Sequence, residues 1–90
     1  MQKLSFQPVK KIAPAAIEKV CTGMNLRKTM KGSLKSLSEN IHWHYKRRNE
    51  KGVLEITFLI QSGKIILSNK KNREAEWIKD AMKELKEKLE

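Results

Sequence analysis

Between Ile41 and Lys70 apolar and polar side chains alternate so regularly that strand number, register and buried face can be read from the sequence. Ile41, Trp43 and Tyr45 hold odd positions, while His42, His44, Lys46 and Arg48 hold even ones. Successive side chains of a strand point to opposite faces, so this segment predicts a half-buried strand with its aromatic side inward. Asn49-Glu50-Lys51-Gly52 supplies turn formers, and Leu54, Ile56, Phe58 and Ile60 then line one side of a second strand. Ser62-Gly63 is the two-residue type that favours a primed hairpin turn, and a third strand follows with Ile65 and Leu67.

The hydrophobic pattern constrains how these strands pair, because a one-residue slip exchanges the faces. With Asn49 opposite Gly52, Tyr45 faces Ile56, Trp43 faces Phe58 and Ile41 faces Ile60. A bulge at Gly52 would set Lys46 against Ile56 and bury a charge without compensation. A tight Ser62-Gly63 turn pairs Gln61 with Lys64, Ile60 with Ile65 and Phe58 with Leu67, so both hairpins select the same buried face. On the other face Lys46 is then expected opposite Glu55, an exposed pair worth about 0.2–1 kcal/mol. Leu59 falls beside Ile66 there, an apolar patch that marks a candidate partner interface.

The flanks are read from punctuation and helical spacing. Residues 1–9 alternate weakly through Leu4 and Phe6 and stop at Pro8, consistent with an edge strand or an ordered arm. Pro14 suits the first turn of a short helix that runs to Thr22 and ends at Gly23. Leu26, Met30, Leu34 and Leu37 have near-helical spacing interrupted by Gly32 and Ser33, so the N-terminal part is expected to hold two short helices or a helix and a loop. After the polar link 69–72, with Asn72 as N-cap, Trp77, Ile78, Ala81, Met82, Leu85 and Leu89 form one stripe of an amphipathic helix. The whole predicts a single basic α+β domain over residues 1–90. A three-stranded antiparallel meander (about 41–69) carries a C-terminal helix (about 73–89) on one face, with short N-terminal helices beside it.

The formal net charge is +10, and its distribution is uneven. Residues 1–48 hold eleven Lys and Arg against Glu18 and Glu39, whereas residues 49–90 hold nine against eight acids. A basic field concentrated in one half points to a polyanionic partner: the phosphate backbone of RNA or DNA first, then an acidic protein or an anionic membrane surface. The residues placed to meet phosphates are Lys28, Lys31, Lys35, His44, Lys46, Arg47 and Arg48. His42 and His44 point the same way and could share a metal. The only other Cys or His is Cys21, so no metal site and no cofactor are expected. No glycine-rich phosphate loop, paired-carboxylate site or nucleophile elbow is present, which favours a non-catalytic binding domain. One cysteine, no apolar run of membrane-spanning length and no apolar signal region lead to a cytoplasmic expectation.

The coarse order of strand, helix, helix, three-stranded meander and helix resembles the RelE/ParE/HigB-type toxin superfamily. The resemblance runs over about residues 34–85, through Leu34-Lys35-Ser36-Leu37, Trp43-His44-Tyr45-Lys46, Leu54-Glu55-Ile56-Thr57-Phe58, Gly63-Lys64-Ile65-Ile66-Leu67 and Lys70-Lys71. It implies a ribonuclease held in check by an acidic antitoxin. Glu55 stands where the family's central strand usually presents an arginine. The order of helix, three strands and helix is also similar to that of double-stranded-RNA-binding domains.

Overall fold

Parity keeps the aromatic side of residues 41–47 inward, while the rest of the chain builds a larger sheet than the alternation alone predicts. The computed structural model describes residues 2–34, 37–69 and 75–90, and side chains over 3–32, 40–69 and 75–90. The elements are β1 (Gln2–Phe6), α1 (Pro14–Gly23), β2 (Leu26–Leu34), β3 (Leu37–Arg47), β4 (Leu54–Leu59), β5 (Lys64–Asn69) and α2 (Glu76–Leu89). The strands form one antiparallel sheet in the order β1-β5-β4-β3-β2. The expected three-stranded meander is therefore corrected to the centre of a five-stranded sheet. β1 closes one edge against β5, and β2 closes the other against β3.

β2 replaces the second helix or loop expected in the N-terminal part. Its register with β3 shifts between Lys28 and Met30, where Thr29 is the extra residue of a bulge. Before the bulge Leu26 and Lys28 share the face of Tyr45; beyond it Met30 pairs with His44 and turns to the opposite face. Leu26 and Met30 thus stand four apart on different faces, and the apparent helical spacing is produced by a broken period of two. The Thr29 hydroxyl donates to the His44 carbonyl oxygen at 3.2 Å, tying the bulge to β3.

Both hairpins keep the expected buried face and change partners. Tyr45 pairs with Leu54, Trp43 with Ile56 and Ile41 with Phe58, a shift of two residues from the expected register. The connection is long, with Asn49 at φ 62° and Gly52 at φ 98°. The Trp77 indole N–H donates to the Lys51 carbonyl oxygen at 2.5 Å and fastens this connection to the start of α2. β4 and β5 show the same two-residue shift: Phe58 pairs with Ile65 and Leu59 with Lys64. The turn spans residues 60–63, with the Gly63 N–H donating to the Leu59 carbonyl oxygen at 2.7 Å and Gly63 at φ 79°. Ile60 consequently leaves the sheet and is 44% exposed.

α1 and α2 pack on the same face of the sheet. Ile17 and Cys21 from α1 join Trp77, Ile78, Ala81, Met82, Leu85 and Leu89 from α2, all buried against Trp43, Tyr45, Leu54, Ile56, Ile65 and Leu67. α1 begins at Pro14 as expected. It ends at Gly23, also as expected; the Met24 N–H caps it by bonding back to the Val20 and Cys21 carbonyl oxygens, and Asn25 takes φ 63°. α2 covers the greater part of the expected 73–89 helix, and the expected N-cap at Asn72 lies outside the described residues. No described helix is long and apolar enough to cross a membrane.

Candidate functional site

With both helices on one side, the opposite face of the sheet has no described element over it. Register fixes what it displays: His42 and His44 from β3, Glu55 and Thr57 from β4, and Ile66 and Ser68 from β5. His44 lies directly opposite Glu55, and His42 directly opposite Thr57. The cations of this face are Lys46 with its cross-strand neighbour Arg27, Lys64 beside Leu59, and Lys3 beside Ser68.

At its centre three side chains converge. The Nε2 atoms of His42 and His44 lie 3.1 Å apart, and Glu55 Oε1 lies 3.3 Å from the first and 3.6 Å from the second. His42 Nδ1 and Thr57 Oγ1 are 2.7 Å apart, which holds the His42 ring in one orientation. Glu55 is only 8% exposed, and its Oε2 has no hydrogen-bond partner. The Lys46–Glu55 pair expected from the tight-turn register is replaced by contacts of Glu55 with both histidines. These are donors of the kind that ligate transition metals. The expectation of no metal rested on the missing third ligand, and strand pairing supplies one as a carboxylate.

A second polar cluster lies on the helix side. Glu18 of α1 accepts a hydrogen bond from the Trp43 indole N–H at 2.9 Å and meets Lys31 Nζ at 2.7 Å and Lys28 Nζ at 3.4 Å. The Lys31 hydrogen bond and then that of Trp43, aided by the charge of Lys28, hold the Glu18 carboxyl down at about 2. This cluster pins α1 over the β2–β3 edge and occupies two of the lysines expected to contact phosphates.

The expected phosphate-binding residues are accordingly divided. His44 and Lys46 share the open face. Lys28 and Lys31 sit at the opposite face beside Glu18, and the Arg47 guanidinium lies 5.4 Å from the Trp77 ring centroid, also on the helix side. Arg48 is exposed at the start of the β3–β4 connection, and Lys35 lies outside the described residues. Leu59 and Ile66 are both half-buried on the open face, though not opposite each other: Leu59 pairs with Lys64 and Ile66 with Thr57. Parity already placed Glu55 and Lys64 on this face, and Arg27, which stands opposite Lys46, is the member that sequence reasoning missed. Reading 26–34 as a bulged strand would have placed Arg27, and only the correct register pairs Glu55 with His44. No family model, no curated protein and no solved structure matches this chain.

Proposed function

We propose that this chain binds nucleic acid through phosphate contacts made by the open sheet face. The observation that carries the reading is the segregation of charge between the two layers. α1 and α2, with the α2 cap, carry six of the ten acidic residues. The described open face presents Lys3, Arg27, Lys46 and Lys64 with two histidines, against a single buried acid, Glu55. A polyanion approaching that face meets cations, while the helix layer offers interleaved charge of both signs.

The same face limits the mode of binding. Phe6, Trp43, Tyr45, Phe58 and Trp77 are all the aromatic residues of the chain, and all are buried in the core. No aromatic platform is left for stacking bases, so contacts fall on the backbone and sequence preference is weak. This separates the reading from sheet-surface RNA binders that stack bases on exposed aromatics.

The test is fluorescence polarisation with short labelled duplex RNA, duplex DNA and single-stranded RNA at about 50 and 200 mM salt, the range over which phosphate-dominated affinity collapses. Charge reversal by Lys46→Glu and Arg27→Glu weakens binding and lowers the salt slope by about one for each phosphate no longer neutralised. Lys83→Glu on the exposed side of α2 leaves binding unchanged. Equal losses from the α2 control, or no binding at the lower salt, overturn the proposal. In the second case the half-buried Leu59 and Ile66 favour a protein partner on the same face, which sedimentation of the chain alone and with an acidic partner reads directly. The toxin-like ribonuclease is distinguished by cleavage of the labelled RNA during the same titration.

A further inference from the structure

We infer that His42, His44 and Glu55 form a binding site for one divalent transition-metal ion, with Zn2+ the best fit. The three donor atoms make a triangle with edges of 3.1, 3.3 and 3.6 Å. A tetrahedral zinc ion with bonds of about 2.0–2.1 Å spaces its ligands about 3.3–3.4 Å apart, so the triangle already has the dimensions of one tetrahedral face. Little side-chain movement is needed to admit the ion.

Three further observations point the same way. The 2.7 Å contact between His42 Nδ1 and Thr57 Oγ1 is the outer hydrogen bond that metal-ligating histidines use. With the imidazole proton on Nδ1 and donated to Thr57 Oγ1, the Nε2 lone pair is directed at the site. Glu55 carries a buried Oε2 with no donor, and a cation held by the same carboxylate compensates for that lost hydration. All three ligands stand on β3 and β4, which have neighbours on both sides in the sheet, so the triangle is held by ladder hydrogen bonds on either flank. Two imidazoles and one carboxylate suit zinc, cobalt or nickel and do not suit magnesium or calcium, which prefer all-oxygen shells.

Three protein ligands leave a fourth position, which opens to the uncovered face. That is the arrangement of a site that keeps an exchangeable ligand, and not of a closed structural site. The buried Cys21 lies on the other side of the sheet and takes no part.

The experiment uses the untagged full chain, freed of metal by chelation and dialysis. ZnSO4 and CoCl2 are titrated by calorimetry and by visible absorption respectively. The expected result is one equivalent of Zn2+ at micromolar affinity or tighter, and the intense visible bands of four-coordinate Co2+. His44→Ala and Glu55→Gln each weaken binding at least about a hundredfold, and Thr57→Val weakens it about tenfold through the outer hydrogen bond. Should His44→Ala fail to fold, Glu55→Gln and the Co2+ spectrum of the unaltered chain decide the matter. The inference is overturned by the absence of binding heat in the unaltered chain. Zn2+ affinity unchanged in Glu55→Gln, or Mg2+ bound as tightly as Zn2+, overturns it equally.

Discussion

Replacing Glu18 separates charge from hydrogen bonding at the junction of α1 with the sheet. Glu18→Ala leaves the indole N–H of a fully buried Trp43 without its acceptor, a loss of about 1–3 kcal/mol for an unsatisfied buried donor. The contacts with Lys28 and Lys31, whose side chains are 43% and 45% exposed, add only about 0.2–1 kcal/mol each. Together these give a cost of roughly 1.5–5 kcal/mol, a large share of the stability of a small domain. Glu18→Gln keeps an acceptor for Trp43 and removes the charge, so it costs about 1 kcal/mol. Urea denaturation at pH 7, followed by tryptophan fluorescence, reads both as shifts in midpoint at constant slope. The acid limb supplies a second reading. The Glu18 carboxyl is lowered from 4.5 to about 2 in the folded state, so its contribution is fully present above 4.5 and disappears as pH falls toward 2. At 26% exposure, solvent screening reduces the nominal linkage of about 3 kcal/mol to roughly 1–2 kcal/mol. The stability gap between the unaltered chain and Glu18→Gln should therefore close across that window. A gap that persists at pH 2.5, or Glu18→Gln as stable as the unaltered chain at pH 7, would refute the clamp. The same variant bears on function. Neutralising Glu18 frees Lys28 and Lys31, which raises polyanion affinity severalfold if those lysines contact phosphates and leaves it nearly unchanged if the open face does.

Two further predictions follow from burial. Burial pushes the Cys21 thiol from 9.0 up to about 12, so it should resist a disulfide reagent at pH 8 until the chain unfolds, and equal reaction rates in buffer and in urea would contradict its placement. The raised value also means that stability falls as pH climbs from 9 toward 12, and Cys21→Ala should remove its share of that loss. Ile60→Ser should cost less than about 0.5 kcal/mol because Ile60 is 44% exposed in the 60–63 turn, whereas Phe58→Ala should cost about 3–5 kcal/mol. Comparable costs in a denaturation series would restore the tight-turn register in which Ile60 faces Ile41.

What the sequence discloses depends on whether a signal is local. The stripe from Trp77 to Leu89 predicts α2 because an amphipathic helix carries its packing face within its own spacing. Pro14 marks the start of α1 for a similarly local reason. β2 was illegible because Thr29 inserts one residue into the ladder, which moves Met30 to the opposite face and leaves four-residue intervals that imitate a helix. β1 was visible as an edge element, but its partner β5 lies about sixty residues away, and no local pattern names it.

The candidate site was hidden by a more general limit. Alternation determines which face a residue takes, and that is a statement about odd and even positions alone. A slip of two residues keeps each strand side chain on its own face, so the expected and observed registers bury the same aromatic face and differ in the core only by Ile60, which the longer turn exposes. They differ entirely in which polar residues meet. In the expected register Glu55 faces Lys46 and forms an ordinary surface ion pair; in the observed one it faces His44 and completes a three-donor cluster with His42. The observed register goes with a longer 48–53 connection, in which Asn49 and Gly52 are left-handed and the Lys51 carbonyl accepts the Trp77 indole N–H. A contact from α2, on the far side of the sheet, thus braces the connection that joins the two strands of the open-face cluster. Trp77→Phe, which keeps an aromatic ring and removes the N–H, should loosen that connection and weaken Zn2+ binding with no change in any ligand, measured by amide exchange over residues 48–53 beside the calorimetric titration. Unaltered exchange and unaltered zinc affinity would show that the turn holds its register without α2.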